Sequence, residues 1–249
     1  MIDIYGYGHR LVAAMRSVVA DQPVGLYLHG SVALGGFRPE RSDVDVLAVI
    51  SAPLTPDAQV AVGEALLAVA YPCPGTGLEA SVITAATAAD LADCHFEVHV
   101  ATPDTVTIGT GRAGDPDLVL YAEVCRRSAI TVAGPPAASV FGVVPSDRVR
   151  DAIDAELDWG LANASFEYAI LNACRAMRYG YDGSLVSKVA GGEWYLAENP
   201  SDAARPADAL VSAALSRQRG VNVAEPTHDG VAAFIRSAQE MLRIRGAGT

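Results

Sequence analysis

The chain has 249 residues, 51% of them apolar, and a formal charge of −11, a length that allows one large domain or two modest ones with a buried core. No window offers the ~18 uninterrupted apolar residues of a membrane span, so no membrane association is expected. The 18 basic residues form no long cluster, which argues against a nucleic-acid partner and leaves a cationic one as the better match, although an acidic surface also serves simply to keep a protein in solution.

The opening "MIDIYGYGHRLVAAMRSVVA" begins with acidic and glycine residues, and its apolar positions are spaced as on an amphipathic helix. No signal peptide is read there, and a cytoplasmic location is expected. Cys73, Cys94, Cys125 and Cys174 include no C-x-x-C pair, so neither a zinc site nor a disulfide framework is indicated, and all four read as small core or half-buried residues.

Up to about residue 133 short β-rich runs mix with helical stretches. The runs "VGLYLHG", "VDVLAVI", "LEASVITA" and "FEVHVAT" read as strands, and "TPDAQVAVGEALLAVAY" reads as a helix with Pro56 near its start. This alternation predicts an α+β fold whose mixed sheet is flanked by helices. "AGPPAASVFGVVPSD" then gathers Gly and Pro into a connection. Beyond it the pattern is all-helical: Ser146 and Ser165 are placed to cap helices, and three later segments complete a bundle of about five. The expected division is 1–145 for the sheet domain and 146–249 for the helical one.

The chemistry concentrates in "LHGSVALGGFRPERSDVDVLAVI", residues 28–50. Side chains two apart on a strand share a face, so Asp43 and Asp45 project together. Two neighbouring carboxylates repel unless a cation lies between them, and Mg²⁺ takes oxygen ligands of this kind. Ahead of them Gly30 permits close backbone approach and, with Ser31, forms a turn whose N–H groups can cradle an anion. A lone D-x-D is more often a turn or a solvated strand end; the G-S turn, the spacing and the apolar strand together describe a site for a metal–nucleotide complex. Glu79 lies in an apolar run where a charge needs a partner, unless its strand is an edge facing water. Glu97 and His99 read as two residues on one strand face, supporting the site or an interface, and Trp159 and Trp194 read more readily as core than as platforms.

This combination resembles the signature of the polymerase-β-type nucleotidyltransferase superfamily. "HFEVHV", "DPDLVLYAEVCRRSAITVAGPP", "VFGVVP" and "YAILNACRAMRYGYDGSLVSKVAGGEW" narrow the likeness to the aminoglycoside nucleotidyltransferases, in the branch of the spectinomycin and streptomycin adenylyltransferases. The similarity runs from about Gly25 to Leu196. It implies a nucleotidyltransferase domain followed by a helical domain that closes the substrate cleft, with Asp43 and Asp45 on the metal and Gly30 and Ser31 on the nucleotide phosphates. It gives Glu79 the catalytic-base position and Lys188 that of the lysine reaching across to the triphosphate. Lys188 is the only lysine in the chain; a compact ammonium suits a phosphate contact, though a lone lysine is commonly just a surface residue.

Streptomycin-acting members carry a tryptophan and acidic residues before the "ILNACR" helix, where this chain offers Trp159, Asp158, Ser165 and Glu167 in a register the sequence does not fix. Glu167 and Trp159 are the candidate acceptor contacts, with Glu167 expected at the bundle's edge. The implied reaction is Mg²⁺-dependent transfer of AMP from ATP to a hydroxyl of a cationic aminoglycoside or aminocyclitol, by a monomer. Transfer to another small molecule or to a protein, and a non-enzymatic nucleotide sensor, are the alternatives.

Overall fold

A computed structural model describes residues 3–19, 22–198 and 206–246. The chain divides into two compact units, 1–145 and 146–249.

In the first unit α1 (Ile4–Val18) is started by Asp3, whose carboxylate accepts from the Gly6 N–H at 2.7 Å, a side-chain cap of the usual kind. β1 (Val24–Leu28), the one-turn α2 (Gly30–Ala33) and β2 (Val44–Ile50) follow. Next come α3 (Pro56–Ala68), capped by Thr55 with Pro56 in its first turn, then β3 (Leu78–Thr84), α4 (Ala85–Ala89), β4 (Val98–Ala101), β5 (Thr105–Ile108), α5 (Leu118–Ser128) and β6 (Ile130–Ala133).

The strands form one mixed sheet in the order β5-β4-β3-β2-β1-β6, in which only β2 and β3 run parallel. α+β architecture with a mixed sheet is therefore what the chain adopts. Alternation along the strands sorts the faces. Leu26, Leu28, Val46, Ala48, Ala80, Val82, Val98 and Val100 join Leu11 and Met15 of α1 and Val62 and Leu66 of α3 in one buried cluster. Burying a side chain of this size contributes roughly 1.5–3 kcal/mol, so this face supplies the unit's main stabilisation. The opposite face carries Tyr27, Asp45, Glu79, Ser81 and His99. It is covered in part by α5 and by a 3-10 turn, Ala137–Ser139, where Phe141 packs edge-on against Tyr27 at 5.0 Å. This second face is mixed, with Leu47, Val49 and Ile83 buried at one end and the polar residues at the other.

β5 and β6 were not among the expected strands. Each is only four residues long, at the lower limit of the runs that mark a strand in sequence.

The second unit holds α6 (Ser146–Asn163), α7 (Phe166–Asp182), α8 (Lys188–Glu198), α9 (Pro206–Gln218) and α10 (His228–Gly246). α7 is its centre and packs on the other four helices. Ala169, Ile170, Leu171, Ala173, Cys174, Ala176 and Met177 are all buried and form a broad apolar face, with Arg175 and Arg178 on the remaining side. At Gly192 of α8 a Cβ would lie 2.8 Å from the Leu171 side chain and 2.9 Å from that of Leu215, so a larger residue there would have to displace both leucine tips. Ser165 occupies the cap position of α7 but makes no capping hydrogen bond. The start of the predicted segment "SDAARPADALVSAALSRQR" falls at residues 201–205, outside the described residues. No described helix is long and apolar enough to cross a membrane. Cys94, Cys125 and Cys174 are buried and Cys73 half-buried, all as free thiols.

Candidate active site

The polar face of the sheet assembles most of the expected residues. Asp45 on β2 and Glu79 on β3 are direct register partners, so the parallel pairing of these two strands sets both carboxylates side by side on one face. The ladder continues upstream, with the Thr76 N–H donating to the Ser42 carbonyl at 2.9 Å and the Val44 N–H to the Gly77 carbonyl at 2.8 Å. Asp43 thus continues the pleat next to Asp45 and is exposed, while Asp45 and Glu79 are half-buried. β3 lies between β2 and β4. Glu79 therefore sits in the sheet's interior, and the edge-strand alternative does not apply.

The chain turns sharply between β1 and α2. The His29 N–H donates to the Asp45 carbonyl at 3.0 Å, and the Ser31 N–H reaches the Asp45 carboxylate oxygen Oδ2 at 3.3 Å. Gly30 between them has φ +52°, and a Cβ there would overlap Asp45 Oδ2; the left-handed backbone and the closeness both demand glycine. The Ser31 hydroxyl is buried and has no hydrogen-bond partner. Such an orphan is costly unless something is meant to meet it.

His29 is fully enclosed, and burial pushes its imidazole down to about 3, against a weaker opposing hydrogen bond with the Val46 backbone. It is neutral near pH 7 and brings no charge to a phosphate. Its ring instead packs on Tyr121 of α5 at 4.8 Å. The Tyr121 hydroxyl donates to Glu79 Oε1 at 2.9 Å. Burial, then the Glu79 charge, push this phenol well above the ordinary tyrosine range, so it remains a donor. Cys125, one turn further along α5, is likewise pushed up by burial and by the Asp45 charge.

Glu97 and His99 separate in role. His99 Nδ1 lies 3.0 Å from the Ser81 hydroxyl, on the face that carries Glu79. Glu97, just before β4, is buried at 1% exposure; its Oε2 accepts from the Leu54 N–H and from Gln59 Nε2, both at 2.9 Å. It fastens the start of α3 to the sheet instead of supporting the polar face.

Among the described residues no group of three or more His, Cys, Asp or Glu side chains could hold a metal ion. Two aspartates remain, one of them half-buried against a turn with an orphan hydroxyl. That donor set fits Mg²⁺, which binds through one or two carboxylates and completes its shell with water and substrate phosphates instead of an all-protein cage.

In the second unit Lys188 opens α8, and its Nζ lies 3.8 Å from the centre of the Tyr168 ring, a cation–π contact. The Tyr168 hydroxyl donates to Glu156 Oε1 at 2.5 Å, Asn172 Nδ2 donates to the same oxygen at 3.2 Å, and Arg175 donates to Asn172 Oδ1 and to the Val186 carbonyl, each at 2.9 Å. Trp159 meets Tyr168 edge-on at 5.9 Å and is 52% exposed, so of its two expected readings, core residue and acceptor contact, the core one does not hold. Trp194 is half-buried, with the Arg178 guanidinium over its ring.

Glu167 departs from expectation. It is 7% exposed and engaged within the fold, not at the bundle's edge: it faces inward on a helix that packs on four others, while Phe166 and Tyr168 beside it are half-buried.

Tyr121, Tyr168 and Glu156 were not among the expected residues. A buried tyrosine hydroxyl needs a polar partner. The one available signal was a tyrosine on the otherwise apolar face of "LVLYAEVC".

Residues 139–241 match the family model described as aminoglycoside adenylyltransferase, C-terminal domain. The crystal structure of spectinomycin adenyltransferase AAD(9) from Enterococcus faecialis, determined with ATP and spectinomycin, has a similar fold. Its TM-score is 0.72 at 17% identity, over 96% of this chain and 99% of that one.

Proposed function

We infer that this chain, which carries the C-terminal domain of the aminoglycoside adenylyltransferases, transfers AMP from ATP to a hydroxyl of an aminoglycoside or aminocyclitol of the spectinomycin or streptomycin type, releasing pyrophosphate. The observation that carries this reading is the orphan Ser31 hydroxyl, in a turn held by its own N–H against Asp45, one strand from Glu79 at the same register. A phosphate-sized acceptor would satisfy that hydroxyl.

Asp43 and Asp45 would hold Mg²⁺, which when bound offsets charge on the attacking and leaving oxygens. Gly30 keeps the backbone close enough for the turn's N–H groups and the Ser31 hydroxyl to face phosphate oxygens. Glu79 takes the proton of the acceptor hydroxyl as its oxygen bonds to the α-phosphorus. The bond from that phosphorus to the bridging oxygen breaks, and pyrophosphate leaves with the electron pair. Lys188 supplies an ammonium for the outer phosphates. Trp159, with its exposed ring, offers a face for a cationic acceptor; the buried Glu167 is not proposed as a direct contact. The net charge of −11 attracts such a substrate at long range.

A panel of aminoglycosides and aminocyclitols with ATP, with and without Mg²⁺, tests the reading by pyrophosphate release and product mass. We expect an adenylylated product with at least one drug in Mg²⁺, and none from Asp43→Asn or Asp45→Asn. No product from any drug refutes the antibiotic acceptor; near-normal turnover by either variant refutes the metal assignment.

A further inference from the structure

We propose that Tyr121 is a positioning residue for Glu79, fixing which carboxylate oxygen is free to take the acceptor's proton. This rests on the reading of Glu79 as the base. The hydroxyl of Tyr121 donates to Glu79 Oε1 at 2.9 Å, which occupies that oxygen and leaves Oε2 as the one presented to substrate. A carboxylate on a strand otherwise turns freely about its last torsion, which is broad and two-fold; one directed hydrogen bond selects an orientation.

The anchor is itself held. Tyr121 lies in α5, which packs on α2 and on β2, and its ring rests on His29 at 4.8 Å. The His29 N–H is bonded to the Asp45 carbonyl. One aromatic pair therefore ties the phosphate turn, the metal-side strand and the base together, so that Glu79 keeps its relation to Asp45 as α5 packs. The apolar alternative at this position, Phe, would fill the same space against His29 and leave Glu79 untethered.

The test is a double-mutant cycle read in single-turnover rates and in ATP affinity by calorimetry. Tyr121→Phe keeps the ring, and its melting temperature and far-ultraviolet circular dichroism check that the fold survives. In the wild-type background the rate should fall roughly 10–100-fold, as displacement of a reacting group by about an ångström does, with ATP affinity within twofold. In the Glu79→Gln background, where no base remains to be oriented, the same change should alter the residual rate less than twofold. Equal losses in both backgrounds, or no loss in either, overturn the positioning role. If Glu79→Gln itself keeps the wild-type rate, what fails is the assignment of Glu79 as base, so the two failures are distinguishable.

Discussion

Gly30 shows how much chemistry one missing side chain can carry. Its φ of +52° and the nearness of Asp45 Oδ2 place a left-handed backbone directly against a carboxylate. An alanine there must both accept a left-handed conformation, at about 1–2 kcal/mol, and push the Asp45 carboxylate away. Gly30→Ala should therefore lower kcat/KM at least ~100-fold while leaving a folded protein, measured by steady-state kinetics alongside circular dichroism. Near-normal turnover would mean that the turn is not part of the site. Lys188 makes the complementary point. The chain's one lysine lies over the Tyr168 ring, and Tyr168 is in turn tied to Glu156, so its ammonium is held in place by an aromatic face that the lysine alone does not announce.

At the scale of elements, the end of β1 joins stability to the site. His29 is driven down to about 3 from an ordinary 6.5 by burial, so the folded state binds its proton less readily than the unfolded chain. The stability this supports is complete above about 6.5 and is lost as pH falls towards 3. Urea unfolding at pH 6.5 and pH 5 should show a loss of up to ~1.4 kcal/mol per pH unit from this group, and His29→Leu should flatten that slope. A wild-type slope unchanged by the substitution would contradict the burial argument. How much of these elements could be read beforehand follows from their length and patterning. β1, β2 and β3 are apolar runs long enough to declare themselves, and the period-2 alternation of a strand already put Asp43 and Asp45 on one face. β5 and β6, four residues each, are too short to show. Glu97 looked like a partner of His99 because the two alternate in sequence, yet contacts from Leu54 and Gln59, more than thirty-five residues away, decide its role. Tyr121 gains its meaning only when α5 is laid on the sheet, and Glu167 loses its expected exposure only when α7 packs on the other four helices.

Across the whole molecule, the Gly/Pro-rich connection and the helical pattern beyond it indicated two parts with a helical second half, and the described residues form a mixed-sheet unit and a five-helix unit. Asp45, Glu79 and the Gly30–Ser31 turn lie in the first unit, and Lys188 and the exposed Trp159 in the second. The claim on which the account turns is that Glu79 accepts the proton and does not hold the nucleotide. The most direct measurement is therefore Glu79→Gln, with Mg²⁺-ATP affinity by calorimetry and the rate of AMP transfer by product mass on the same preparation. The account predicts unchanged ATP affinity with a rate lowered by roughly 10²–10⁴; a loss of ATP affinity matching the loss of rate would contradict it and make Glu79 a ligand of the metal.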